Sequence, residues 1–163
     1  PHGREDVSEG GKIKNIFFDE RSTICRSPQA EHERRIATFD LLEENNFELL
    51  GGFGGPYDLH LSIAESRLIF NVQNPLTKDS CKFSLHSSSL RRVVKDYFLI
   101  CESYFEAIKF RTPSQIETID MGRRGIHDEG AEILQDRMSG WVLTDRLTAR
   151  RLFTLICVLH IRG

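Results

Sequence analysis

No stretch of this chain stays apolar for long. The longest such run, Leu152 to Ile161, is about half of the ~20 residues that a helix needs to cross a bilayer. No secretory signal is visible either, because Pro1 to Gly11 is rich in glycine and charge where a signal would be apolar. Those residues are expected to form a disordered lead-in, and the missing initiator methionine points to processing, truncation or a cloning remnant. The four cysteines, Cys25, Cys81, Cys101 and Cys157, include no C-x-x-C pair and no cysteine–histidine spacing of the zinc-finger kind. Reduced structural thiols follow, with Cys101 and Cys157 in apolar helical patterns as small core residues. A cytoplasmic protein is the expectation.

Charge of one sign is lacking as well. Lys and Arg number 22 against 24 Asp and Glu, a net charge of −2, so no general attraction to nucleic acid or to an anionic membrane is expected. Basic pairs such as Arg34-Arg35 and Arg91-Arg92 stand isolated. The Gly51-Gly52-Phe53-Gly54-Gly55-Pro56 segment is glycine-rich, but it lacks the G-x-x-x-x-G-K-[ST] pattern and leads into a strand instead of a helix.

What is present suits one α+β domain over residues 12–163: an antiparallel meander covered by helices, with the C-terminal half mainly helical. Ile13 to Phe18 mixes β-branched and aromatic residues and predicts a first strand. Ser27-Pro28 is an N-cap and first-turn pair, and it opens a helix with Ile36, Phe39 and Leu42 as its apolar stripe, continuing to Asn45-Asn46. In its early turns Glu31 and Arg34 are spaced to pair, and His32 sits on the solvated face. Tyr57, Leu59, Leu61 and Ile63 alternate with Asp58, His60 and Ser62, as a half-buried strand requires. Leu68, Phe70 and Val72 repeat the pattern after a Glu65-Ser66 turn, and Phe83 and Leu85 form a third strand.

Ser87 to Ser89 are then expected to cap the longest helix, with Leu90, Val94, Tyr97, Cys101, Tyr104 and Ile108 on one stripe. Thr112-Pro113 opens another helix, and Ser139-Gly140 ends the helical stretch that follows. Trp141 to Leu143 fits a strand or an apolar loop. Thr144 or Asp145 caps a last helix that is apolar nearly all round after Arg151, with His160 near its end.

Polar chemistry concentrates in Ile119 to Gly130, which packs two arginines, a histidine and three carboxylates between three glycines. The glycines disfavour helix by about 1 kcal/mol each, so a helix is expected to stop at Gly125 with Arg123 and Arg124 in its last turn. A second helix would start at Asp128, with Glu129 and Glu132 in its first turn. The same residues are also the candidate site. Arg123, Arg124, His127 and Asp128 are the candidate ligand-binding set for a phosphate or carboxylate, although Asp120, Asp128 and Glu129 would neutralise the arginines. The candidate catalytic set is His127 as general acid or base, oriented by Asp120 or Glu129. No spacing selects a metal site from His32, His127 or His160, and no cofactor is implied.

Several blocks resemble a family of small alphaproteobacterial proteins known as an uncharacterised protein family. They are Glu31-His32-Glu33-Arg34, Phe39 to Asn45, Gly55-Pro56-Tyr57, Lys95 to Phe98, Cys101 to Tyr104, Ile119 to Gly130 and Ala149 to His160. The resemblance extends over residues 12–163 and implies a bacterial cytoplasmic protein, with no activity or residue role to carry over. Function is therefore framed by the residues alone. A non-enzymatic binding or regulatory module for an anionic ligand or partner protein comes first, and an enzyme acting on a phosphorylated small molecule is the alternative. The 11 phenylalanines and two broad apolar helices also predict a homodimer.

Overall fold

Alternation builds the sheet. The computed structural model describes residues 11–19 and 28–159, with side chains of the first helix from Glu31 onward. Among them β1 (Ile13–Phe18), β3 (Tyr57–Ala64), β4 (Arg67–Gln73) and β5 (Ser80–His86) form one sheet in the order β1-β3-β4-β5. Its inward rows, Tyr57, Leu59 and Leu61, then Leu68, Phe70 and Val72, then Phe83 and Leu85, are all buried. Glu65 and Ser66 both take positive φ, 51° and 66°, the conformation of a two-residue hairpin turn whose twist matches the strands it joins.

The antiparallel meander holds for β3, β4 and β5, but β1 joins β3 in parallel. The chain does not turn directly from β1 into β3. It returns through α1 (Pro28–Glu43) and β2 (Phe47–Leu49), the long crossover that a parallel pair requires. Buried Asn45 ties the return to the sheet, since its side chain accepts from the Ile13 N–H at 2.7 Å and donates to the Ile13 and Leu41 carbonyls.

β2 is a strand that the sequence pattern did not predict. It pairs antiparallel with β6 (Val142–Thr144), which settles Trp141 to Leu143 as mostly strand. The Thr144 hydroxyl donates to the Asn46 carbonyl at 2.6 Å, and Asn46 Nδ2 donates to Asp145 Oδ2 at 2.9 Å. The other Asp145 oxygen accepts from the Thr148 N–H at 3.0 Å, so Asp145 caps α4 (Arg146–Leu159).

α1 begins at Pro28 as expected and ends at Glu43, two residues early; Ser27 lies outside the described residues. Its apolar stripe is turned round: Ala37 and Leu41 are buried, while Ile36 and Phe39 are 44% and 65% exposed. α4 sets this orientation, because Arg151 reaches across to donate to the Asp40 and Glu44 carbonyls at 2.9 and 3.0 Å. α4 is buried on every side from Leu152 to Leu159. It is apolar but short, and among the described residues no helix is long and apolar enough to cross a membrane. The N-terminal lead-in, Cys25 and His160 lie outside the described residues.

α2 (Ser88–Phe110) and α3 (Pro113–Met138) form a helical hairpin; Ser87 stands at the N-cap of α2 but makes no side-chain cap bond, because its hydroxyl donates to the Ser66 carbonyl at 2.9 Å instead. α3 is the longer of the two, and it runs without interruption through the glycine-rich stretch where a break was expected. Thr112 and Gln115 form a capping box at its start. Asp128 is therefore a mid-helix residue and Gly125 caps nothing. The cost of the glycines is met elsewhere. A Cβ on Gly130 would lie 2.3 Å from the Phe153 ring, so the missing side chain is what admits α4 against α3. Gly130→Ala is expected to destabilise the fold by about 1–3 kcal/mol through overpacking, despite the gain of about 1 kcal/mol in helix propensity. Urea unfolding measures the effect, and a stabilised variant would show that Phe153 can move aside.

Candidate functional site

The hairpin and α4 bring together side chains from widely separated segments. α2 supplies Tyr97 and Cys101, α3 supplies Asp120, Arg123, Arg124 and His127, and α4 supplies Arg150, Thr154 and Cys157. Continuity of α3 decides which residues meet. His127 lies nearly one turn before Gly130, on the side that α4 approaches, and its ring packs on Tyr97 and Phe153 with centroid distances of 5.0 and 6.1 Å.

His127 Nε2 is 2.5 Å from the Thr154 hydroxyl oxygen. That hydroxyl donates its one proton to the Arg150 carbonyl at 3.2 Å, so it accepts from the ring. Nε2 therefore carries the hydrogen and Nδ1 the lone pair. Burial, with Arg150 and Arg123 nearby, pulls the His127 pKa down to about 4. The ring is neutral at pH 7.

The carboxylates go to arginines. Asp120 Oδ1 accepts from Arg123 at 2.7 Å, and its Oδ2 pairs with Arg124 at 2.7 Å. The Arg123 bond, seconded by Arg124, holds the Asp120 carboxyl below the usual range, and the Arg123 guanidinium also lies over the Tyr104 ring at 5.1 Å. Glu129 turns to α2 and pairs with Arg92. Asp128 faces Arg150 Nε at 3.4 Å, but out of hydrogen-bonding line, so this buried N–H has no acceptor among the described residues. The candidate set is thus split: Asp120, Arg123, Arg124, His127 and Asp128 line the α3 and α4 side, and Glu129 leaves it for α2.

Tyr97 is missing from the sequence-derived set, as are Arg150 and Thr154. The signal for Thr154 was there, a hydroxyl inside the otherwise apolar run Leu152 to Leu159. The Tyr97 hydroxyl is buried without a hydrogen-bond partner among the described residues, and burial pushes its pKa far up. Burial likewise raises the Cys101 thiol to about 11 and keeps Cys157 protonated, which makes both unreactive at neutral pH. His32 is exposed. Among the described residues no three His, Cys, Asp or Glu side chains gather as metal ligands.

The model of an uncharacterised protein family, UPF0262, matches residues 10–162. The chain belongs to this family. A UPF0262 protein of Agrobacterium fabrum is 56% identical over 153 residues, 93% of this chain and 96% of its own. The relative from Rhodospirillum rubrum is 52% identical over 158 residues, 97% and 98% of the two chains. One from Rhizobium etli is 56% identical over 153 residues, again 93% and 96%. No solved structure matches the chain.

For this UPF0262 member the depressed pKa of His127 makes stability pH-dependent. The unfolded chain binds the proton near 6.5 and the folded one near 4, so stability is complete above 6.5, falls as the pH drops, and levels off below 4. The loss from this residue is at most about 3 kcal/mol. Urea midpoints at pH 7.5 and 4.5 test it: His127→Gln is expected to flatten the difference, and an unchanged slope would place the ring's proton affinity near normal.

Proposed function

We propose that this UPF0262 protein is a cytoplasmic, non-enzymatic binding or regulatory module, whose α3 and α4 surface takes an anionic group from a small ligand or a partner protein. The observation that carries this reading is the incomplete pairing of Arg150, whose side chain is 34% exposed, meets Asp128 only at 3.4 Å and leaves its Nε without a hydrogen bond among the described residues. Such groups are costly and ask for a partner. Arg150 lies beside Asp128, and Arg124 on the same helix as Asp128 has a side chain 66% exposed. Counted together, Arg123, Arg124 and Arg150 exceed Asp120 and Asp128 by one positive charge. A phosphate or carboxylate on this surface would pair with the exposed Arg124 guanidinium and balance that charge.

The alternative, an enzyme acting on a phosphorylated small molecule with His127 as general acid or base, draws on the same helices. A pKa near 4 makes the ring a weak base at neutral pH. The Nε2–H is held by Thr154, and Asp120 and Glu129, the carboxylates named to orient the ring, are bonded to arginines instead. These features favour the binding reading.

Thermal-shift screening with inorganic phosphate, phosphorylated metabolites, nucleotides and an acidic peptide tests the reading. A ligand at a hundredfold excess over its Kd adds about 2.7 kcal/mol, a rise of roughly 5 °C or more for a chain of this size. Arg150→Gln is expected to abolish the rise while leaving the fold intact. No shift with any of these anions at millimolar concentration, or a shift indifferent to Arg150→Gln, would defeat it.

A further inference from the structure

One edge of the sheet is closed and the other is open. At the β1 edge the Asn45 side chain accepts from the Ile13 N–H and donates to its carbonyl, and the Phe47 N–H donates to the Gly11 carbonyl. β5, at the far edge, has no such cover. The Asn74 N–H donates to the Asp79 carbonyl and the Ser87 N–H to the Ser66 carbonyl, and both pairs continue the β4–β5 register. Hydrogen-bonded pairs alternate along an antiparallel ladder. Cys81, Phe83 and Leu85 therefore turn their backbone groups to β4, and Ser80, Lys82, Ser84 and His86 turn theirs outward. Among the described residues no hydrogen bond reaches those outward N–H and C=O groups. An open row of this kind is a template for another strand.

Side chains around the edge define what that strand must be. Phe70 and Phe83 stand opposite each other with their rings stacked at 4.7 Å, and Trp141 stacks on Phe83 at 5.3 Å, on the ring face that Phe70 leaves free. The indole, 46% exposed, thus stands on the core side of the edge, where an added strand would place the side chain facing Phe83. Only a small residue fits there. A second β5 does not fit, because pairing two copies so that all their outward groups bond sets Phe83 against Phe83. On the outer face Lys82 is exposed and has no ion-pair partner among the described residues. Arg67 and Lys82 outnumber Glu65 by one positive charge around a depression of about 370 Å3 beside the edge. A carboxylate facing Lys82 would complete a cross-strand pair of opposite charges.

We propose that β5 takes up an extended, acidic segment of a partner protein as a further strand of the sheet, with a small residue opposite Phe83 and a carboxylate opposite Lys82. Main-chain hydrogen bonds to Ser80, Lys82, Ser84 and His86 hold the segment, and the two side-chain positions select it. This surface goes beyond the anion-binding reading and uses none of Arg123, Arg124 and Arg150, so each can fail alone.

The chain has one tryptophan, and it stands at this edge, so its fluorescence reports docking. The probe is the blocked heptapeptide Thr-Val-Glu-Ala-Glu-Val-Thr, titrated to millimolar concentration; run antiparallel to β5, it sets its alanine opposite Phe83 and one glutamate opposite Lys82. A saturable change in Trp141 emission is expected. N-methylation of the two glutamates, whose N–H groups would face β5, keeps the charge and is expected to weaken binding by about tenfold or more. Phenylalanine in place of the alanine weakens it as well, and so does Lys82→Glu. Lys82 is exposed, so this variant folds, and circular dichroism verifies that. No change in emission with the unmodified peptide overturns the proposal. Equal binding of the N-methylated peptide overturns it too, because the attraction is then one of charge alone and no strand is added.

Discussion

The α3–α4 crossing at Gly130 is the contact on which most of this structure depends. The Phe153 ring occupies the space where any other residue would carry a Cβ, and interiors packed at crystal-like density leave neither helix room to retreat. Fixing that point fixes the register of both helices. His127 then meets Thr154, and Arg150 meets Asp128. The buried α4 in turn anchors α1, through Arg151 and the Asp40 and Glu44 carbonyls, and the β2–β6 ribbon, through Asn46, Asp145 and Thr148.

Electrostatics around this crossing follow from burial more than from net charge. Asp120 serves two arginines at once, which satisfies one carboxylate and leaves positive charge in excess where Arg150 joins the group. The same positive charge and the same desolvation hold His127 neutral. Tyr97, Cys101 and Cys157, buried beside it, are likewise held in their uncharged forms. Such surroundings do not favour proton transfer by His127 at neutral pH, and they gather the polar side chains on the flank of α3 and α4.

Much of the fold was legible in the sequence. Strands β3 and β4 follow from strict alternation and α2 from its apolar stripe, because each of those patterns has a single period, while β1 is marked by its β-branched and aromatic residues, β5 by Phe83 and Leu85, and α4 by being apolar nearly all round. The Thr112-Pro113 start and the Asp145 cap were legible for a local reason: capping is a contact between residues three apart. The site was legible only as a concentration of polar residues. Arg123, Arg124 and His127 could be named, but not their partners. Thr154 and Arg150 arrive from α4, and Tyr97 from α2, across distances in sequence that no local pattern spans.

The sequence by itself determined the α+β class, the strand faces and the identity of the polar segment, since these rest on periodicity and on hydrogen bonds between near neighbours. Tertiary structure alone decided three things: that β1 lies parallel to β3, that α1 presents Ala37 and Leu41 inward instead of Ile36 and Phe39, and that α3 passes unbroken through its glycines. In each case a long-range contact outweighs a local preference. Helix propensity sets about 1 kcal/mol against a glycine, while the burial of Phe153 and its neighbours between α3 and α4 is worth more, at about 1.5–3 kcal/mol for each large apolar side chain. Propensity is therefore overruled where packing needs an absent side chain, and no single segment of sequence records where that will be.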